Sequence, residues 1–500
     1  MVKNIRGRTS ATHRVAFIAT CVALVLQPRA SRAEPAAPAT EADCYAIHAL
    51  DIPEDAYLEV GALEWIPDGR LAVASRRGEI WMVRDPAADT PTWKRFAHGL
   101  HEVLGLAWKD GWLYVTQRPE VSRIRDTDGD GVADEFETVA DGWGVSGDYH
   151  EYAFGSKFDR EGNIWVALCL TGSFDSDVLF RGWAVRVTPD GRTIPTTSGV
   201  RSPGGIGFDR DGHVLYTDNQ GPWNGACSLK HLVPGGFVGH PGGFKWYDRA
   251  SEMGPRPQEP RSGGRMADEV KKIPQLRPPV VVFPYDLMGK SAAGIACDST
   301  EGKFGPFGGQ VFVTDQGHSL LMRCNLETVD GILQGACFRF RQGFRSGSLA
   351  VQFAPDGSLY VGGTNRGWGS RGPGNFALER VSWTGRKPFD ILALRAKSDG
   401  FELEFTEPVD AATAGDVRNY AARGFTYIYQ SSYGSPEVDD APCPIEKAEV
   451  SADGRRVRLR MSNLRECVIH EIKAPGVRSV AGGPLLHDTG WYTLNRIPKP

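Results

Sequence analysis

Residues Gly155–Leu168 read GSKFDREGNIWVAL. A small, mixed lead-in runs into the turn Arg160-Glu161-Gly162 and then into an aliphatic and aromatic strand, Ile164–Leu168. Glycine supplies the positive φ that a tight hairpin turn requires. The same pattern returns along the chain. It appears as LEWIPDGRLAVAS at Leu63–Ser75, LAWKDGWLYVTQ at Leu106–Gln117, IGFDRDGHVLYTD at Ile206–Asp218 and VQFAPDGSLYVGG at Val351–Gly363. A looser copy, GKFGPFGGQVFVTD, covers Gly302–Asp315. Most copies lie roughly forty to fifty residues apart, the length of one four-stranded propeller blade. The fold class this predicts is all-β: a six-bladed β-propeller over residues 44–385.

Two regions depart from the repeat. Residues 234–290 insert a Gly/Pro-rich segment between the fourth and fifth copies, with a short helix predicted over Arg265–Lys272 (RMADEVKK). A connection this long inside a compact domain usually has a function or is disordered. Gly239-His240-Pro241 and Trp246-Tyr247 lie in it, which marks it as a lid or rim. After Trp383 the alternation changes to that of sandwich strands, at Phe389–Leu394, Phe401–Phe405 and Arg456–Arg460. Residues 386–500 are expected to form a small C-terminal β-sandwich of immunoglobulin-like type. Its aromatic run, Phe425–Tyr433, suits packing on the propeller better than contact with sugar.

Upstream of the opening stretch, Asp126, Asp128, Asp130, Asp134 and Glu137 occupy positions one, three, five, nine and twelve of an acidic loop, with Gly131 at six. That is a calcium-loop spacing, with the backbone of Val132 as a further ligand. Alternate carboxylates on a tight turn bring hard oxygen ligands to one point. The preceding Trp112–Val115 reads as a strand, so the loop is set in β-structure and not between two helices. The alternative is an acidic surface turn.

The N-terminus reads as a targeting segment. Lys3, Arg6, Arg8 and Arg14 precede an apolar run, Val15–Leu26, that is short for a bilayer span, and Ser31-Arg32-Ala33 suits a signal peptidase. The expectation is a signal peptide over 1–33, a flexible leader over 34–43, and export to the periplasm or beyond, with no integral membrane segment after signal removal; an uncleaved N-terminal anchor is the alternative. A formal net charge of -4 with mixed signs argues against nucleic acid. Outside the signal, eight cysteines remain, an even count that permits disulfides in an exported chain. Cys324 with Cys337, and Cys443 with Cys467, are the local pairs to expect. No Cys-x-x-Cys-His occurs, which excludes covalent c-type haem.

Propellers bind ligands where blade loops converge at one mouth of the central channel. The candidate loops carry His150-Glu151-Tyr152, Arg201, Gln220, His240, Gln316 with His318, and Arg366 with Trp368. Histidine is the side chain suited to take a proton near neutral pH. Tryptophan faces at Trp223 and Trp368, with Arg366, would suit a sugar ring; the bland reading is blade packing. His150, His240 and His318 on one face would also suit a transition metal, although their separations fix no geometry.

The order YHEYAFGSKFDREGNIWVAL, VRSPGGIGFDRDG and TDNQGPWNG resembles the soluble glucose and sorbosone dehydrogenases, six-bladed propellers that use the quinone cofactor PQQ. The resemblance implies His150 as the general base, Arg201 on the cofactor, and Gln220, Gly221 and Pro222 around a calcium ion beside it. Where that family continues with acidic residues this chain has Trp223-Asn224-Gly225. Where it offers a fifth-blade lysine, this chain has Asp315-Gln316-Gly317-His318, which leaves Gln316, Arg345 or Lys290 to serve. The acidic loop running into GDYHEYAFG, with DNQGPWNG, GHP, TDQGHS and GGTNRGWGSRG, further resembles exported bacterial propellers labelled membrane-bound dehydrogenases, many with a haem domain that this chain lacks. The leading expectation is thus a calcium-binding propeller acting on carbohydrate, concretely a PQQ-dependent sugar dehydrogenase passing electrons to an external acceptor. The catalytic pair would be His150 and Glu151, with Tyr152, Trp223, His240, His318, Arg366 and Trp368 towards substrate. A non-redox lyase or hydrolase of polysaccharides or lactones on the same face is the second reading. A non-catalytic glycan- or protein-binding module is the third.

Overall fold

Each repeat of the sequence folds as the hairpin between the first and second strands of a sheet. A computed structural model describes residues 39–367 and 369–500, so the expected signal peptide and Trp368 lie outside the described residues. The innermost strands are Val60–Trp65, Gly105–Lys109, Ala153–Phe158, Pro203–Phe208, Ala292–Cys297 and Ser348–Phe353. Each neighbours the next around a ring, and the last packs on the first. They crowd the axis because glycine lets them: a Cβ on Gly105 would lie 2.7 Å from the Gly155 Cα. The second strands, such as Ile164–Leu168 and Val311–Asp315, are buried along their whole length, sandwiched between neighbouring blades. That is why they read as unbroken apolar runs and not as alternating ones.

The ring closes on the N-terminal strand. Tyr45–Ala49 pairs antiparallel with Phe376–Trp383 and becomes the outer strand of the sixth blade. The expected flexible leader does not extend through residue 43. Glu41–Cys44 form a helical turn held by a capping box between Thr40 and Asp43, whose reciprocal bonds satisfy the free amides of its first turn.

The insertion is largely not a lid. Gly236–Phe237 adds to the outer edge of the third blade, beside Thr193–Ser198. The 3₁₀ segment Pro241–Arg249 packs Phe244 and Tyr247 against Trp183, whose indole donates to the Gly243 carbonyl at 2.8 Å. The helix is present over Met266–Lys272. Val281–Val282 then supplies the outer strand of the fourth blade.

The C-terminal residues build a sandwich that shares a sheet with the propeller. One sheet holds Ile391–Lys397, Gly400–Phe405, Arg456–Met461 and Ile445–Val450. The facing strands, led by Thr489–Leu494 and Val468–Lys473, extend the fifth blade into an eight-stranded sheet. Phe338 of that blade, Phe401, Leu459, Ile472 and Tyr492 form one apolar core across the two sheets. The expected disulfides are absent. Cys324 and Cys337 face each other in register across the fifth blade's outer hairpin, yet both are free thiols buried in its apolar core. Cys443 is likewise a buried free thiol whose Sγ donates to the Asn463 carbonyl, and Cys467 is free. Buried thiols of this kind behave as small hydrophobes.

Candidate functional site

All inner strands begin, and all second strands end, at the same mouth of the channel. Two positions per blade therefore converge there: the residues just before the inner strand and those just after the second. The mouth holds a cavity of about 520 Å³. Phe154, Gly204 and Leu349 separate it from a lower channel space of about 540 Å³. His150, Tyr152, Arg201, Gln220, Gln316 and Arg366 all line the mouth cavity, from loops of the third to sixth blades.

His150 is held by its own loop. Its amide donates to Asp148 Oδ1 at 2.8 Å, and its Nδ1 lies 3.8 Å from the same oxygen. The Gly172 amide also donates to Asp148 Oδ1 at 2.8 Å, which fixes the carboxylate. Partial burial lowers the His150 pKa; Asp148 opposes this, and Arg201 and Arg118 add to it. The imidazole is thus neutral and able to accept a proton at neutral pH. Its neighbour Glu151 is fully buried and outside the cavity. Its carboxylate accepts from the Ser146 amide at 2.6 Å, Ser146 Oγ at 2.8 Å and Thr171 Oγ1 at 2.8 Å, which lowers its pKa despite burial. Glu151 clasps the loop that carries His150.

Arg201 lies flat on Gly221. A Cβ there would come within 2.0 Å of the guanidinium carbon, so only glycine allows the approach. Arg201 Nη1 donates to the carbonyls of Gln220 at 2.6 Å and Asn219 at 3.2 Å. The Gly221 carbonyl accepts from the Gly434 amide at 3.2 Å, and Pro222 is buried in the turn. The carbonyls that the resemblance gives to a calcium ion therefore face a guanidinium and a backbone amide. Gln316 Nε2 donates to the carbonyls of Thr364 and Arg366. Arg366 pairs with Glu59 at 3.4 Å, and Arg76 with Glu102 at 2.6 Å. The Arg76 guanidinium also lies 5.1 Å from the Tyr152 ring centroid.

Other expected residues stay away from this cavity. His240 caps the 3₁₀ segment, accepting from the Gly242 amide on Nδ1, and burial pushes its pKa down to about 3. His318 is buried, with Nε2 3.2 Å from Asp286 Oδ1. His150, His240 and His318 thus sit in separate environments, with no shared metal geometry among them. Trp223 adopts φ +59°, packs edge-on against Tyr429 at 5.0 Å and lines a small cleft under the C-terminal strands. Arg345 is exposed outside the cavity, its amide donating to Glu379.

The acidic loop joins Val121–Arg125 to Glu135–Ala140 in the second blade. Asp126, Asp128 and Asp130 bring one oxygen each within 4.8 Å of one another. Asp134 turns instead to Thr127, accepting from its amide at 2.9 Å and its hydroxyl at 2.6 Å. Glu137 lies in the strand and pairs with Arg123 at 2.5 Å. Val132 donates its amide to Asp130 Oδ1. Three of the six expected ligands converge.

Sequence reasoning missed Arg76, Phe174, Tyr285 and Tyr433 in the cavity wall. Arg76 directly follows the second strand of the first repeat, the same register as Gln316 in the fifth. Aligning the repeats by their last strand residue would have found it. Tyr285 and Lys290 are the only part of the insertion in the lining. Tyr433 arrives from the C-terminal sandwich on a loop docked by the bond from the Trp223 amide to the Gln430 carbonyl.

A solved structure of low identity shares the fold. A protein of Thermus thermophilus assigned as an oxidoreductase of glucose dehydrogenase type matches at TM-score 0.50 and 21% identity, over 67% of this chain and 99% of its own. The PQQ-bound aldose sugar dehydrogenase of Streptomyces coelicolor aligns at TM-score 0.46 and 18% identity, over 69% and 99%. At 21% identity the first of these likenesses is one of fold alone. No curated protein matches the chain. The family model described as "Domain of unknown function (DUF7133)" covers residues 62–363, and the chain belongs to that family.

Proposed function

We propose that the mouth cavity binds a saccharide and that the protein oxidises one of its alcohol groups, with His150 as the base. The observation that carries this reading is a neutral, loop-anchored imidazole at the wall of a roomy cavity of aromatic and cationic side chains. In the step, the substrate hydroxyl gives its proton to His150, the carbinol C–H leaves as hydride, and a carbonyl forms. The lining suits PQQ, a flat polycarboxylate: among the described residues it offers aromatic faces and four cations, with no carboxylate. When bound, PQQ supplies the hydride acceptor, and an external acceptor would later take the electrons. Lys290 and Gln316 on the fifth-blade wall are the side chains placed to hold it. A calcium ion beside it does not fit, because Arg201 already occupies the carbonyls of Asn219 and Gln220; the convergence of Asp126, Asp128 and Asp130 supports calcium binding at the acidic loop instead. The basic and apolar N-terminal sequence supports export.

Titration with PQQ followed by absorbance, then a sugar panel with a dye acceptor, tests the reading. His150→Ala should lower turnover by about 100-fold or more. Absence of turnover with every sugar, or full turnover in His150→Ala, would overturn it. Turnover without PQQ would favour the lyase or hydrolase reading.

A further inference from the structure

The charge of the cavity is unlike that of the chain. The protein carries a formal net charge of -4, yet Arg76, Arg201, Lys290 and Arg366 line the cavity and, among the described residues, no Asp or Glu does. Three of these cations have anionic partners just outside the lining. Arg76 lies 2.6 Å from Glu102, Arg366 lies 3.4 Å from Glu59, and Lys290 lies 3.1 Å from the exposed Asp286. Arg201 is different. It is 3% exposed, its Nη1 bonds only neutral carbonyls, and its Nε has no partner among the described residues. Asp218, behind the same wall, is already engaged by Lys230 at 2.9 Å and by the Ser202 amide at 2.8 Å. Arg201 lowers the Asp218 pKa through space but makes no ion pair with it. A buried guanidinium with no direct ion-pair partner among the described residues is costly, and a ligand that brings one relieves the cost.

The surroundings of Arg201 say what body the anion is carried on. The ring centroids of Tyr433 and Phe174 lie 5.2 and 5.9 Å from its guanidinium carbon. Both rings are about half exposed, at 56% and 50%, and so stand open at the mouth. Aromatic faces beside a cation suit the C–H face of a sugar ring whose acid group reaches the guanidinium. Arg201 and His150 line the same cavity, and Arg201 lies near enough to act on the imidazole's charge, which puts the subsite on the substrate's side.

We propose that the third- and fourth-blade wall is a subsite for an acidic sugar unit, a uronate or sulfate ester, whose anionic group pairs with Arg201 while its ring lies against Phe174 and Tyr433. This rests on the saccharide reading and specifies its substrate class. A carboxylate of PQQ has the same chemistry, so the test separates the two. The full chain without cofactor is titrated calorimetrically with uronate trisaccharides of gluco, galacto and manno configuration, each against its methyl ester, and with a sulfated trisaccharide against its desulfated parent. At least one acidic form should bind about tenfold or more tighter than its neutral counterpart. That preference should shrink with added salt, vanish in Arg201→Gln and persist in Arg345→Gln. Tyr433→Ala, a change at an exposed side chain, should weaken acid and ester alike. Where Arg201→Gln fails to fold, the salt dependence in the wild type and Arg201→Lys carry the test. Equal binding of acid and ester overturns the inference while leaving the saccharide reading intact. A preference that survives Arg201→Gln overturns it too, as does PQQ binding that alone depends on Arg201. Failure of every saccharide to bind removes the saccharide reading, and the inference with it.

Discussion

Gly221 and Arg201 show how a single position sets the site. The guanidinium rests where a β-carbon would be, so Gly221→Ala must push it off the carbonyls of Asn219 and Gln220. We expect a stability loss of about 1–3 kcal/mol, read by denaturant unfolding, together with weaker binding of any ligand that uses Arg201. His150 yields a second prediction. Its pKa lies below the usual histidine value, because burial together with Arg201 and Arg118 outweighs Asp148. A base must be unprotonated to act, so turnover should rise with pH along a limb centred below about 6.5 and then level off. Asp148→Asn removes the carboxylate that raises this pKa and should move the limb to still lower pH. A limb that does not move would show that Asp148 only shapes the loop. Glu151 illustrates how sequence misleads at this scale. It sits beside a histidine in a polar segment, and only its burial and three hydrogen-bond donors show that it serves the backbone.

At the scale of elements, the repeats were legible because each hairpin carries its own physics: a glycine turn, then a second strand apolar on both faces. Six such hairpins fix the blade count. The closing strand Tyr45–Ala49 was not legible, since it lacks a hairpin and takes its place only by pairing with Phe376–Trp383, far away in sequence. Tyr433 escaped for the same reason, being brought to the cavity by docking between sheets. The loop ends were legible in kind, but which side chains turn inward depends on packing that spacing does not encode. Trp223 turns to Tyr429 and His240 to its own helix, whereas Arg201 and Gln316 reach the axis. The acidic loop is a mixed case. Asp126, Asp128 and Asp130 converge, but Asp134 and Glu137 have partners in Thr127 and Arg123. We expect calcium to raise the melting temperature through Asp126, Asp128 and Asp130, reversibly with chelator, and Asp128→Asn to abolish the increment. Lys94 donates to the Asp130 carbonyl. Lys94→Gln should therefore increase calcium affinity, as measured by titration; a loop indifferent to calcium in both variants would be an acidic turn stabilised by its own hydrogen bonds.

At the scale of the whole molecule, one buried histidine ties together the N-terminal turn, the fifth blade and the C-terminal sandwich. His487 Nδ1 lies 2.8 Å from Asp390 Oδ2, and Nε2 lies 3.1 Å from Glu41 Oε1. Asp390 also faces Arg323 of the fifth blade at 3.6 Å, and Glu41 accepts from the Gln342 amide at 2.8 Å. Burial opposes the charge on His487, but Asp390 and Glu41 outweigh it and push its pKa up to about 9. The unfolded chain would hold it near 6.5, so the folded state binds its proton more tightly. The resulting stability is fully present below about pH 6.5 and is lost as pH rises through about 9, amounting to on the order of 3 kcal/mol. Glu41 adds the opposite limb. Its pKa is lowered by His487 and Gln342 against the cost of burial, so its contribution is present above the ordinary carboxylate value and lost as pH falls through the folded one. Denaturant unfolding should accordingly show a stability that falls between pH 6.5 and 9. In His487→Gln that fall should flatten, with the curve starting lower, because Glu41 and Asp390 then face each other without the cation between them. A wild-type curve flat across this range would mean that the clasp is held by packing and not by charge. The N-terminal turn would then owe its place to the capping box and to the pairing of Tyr45–Ala49 with the sixth blade.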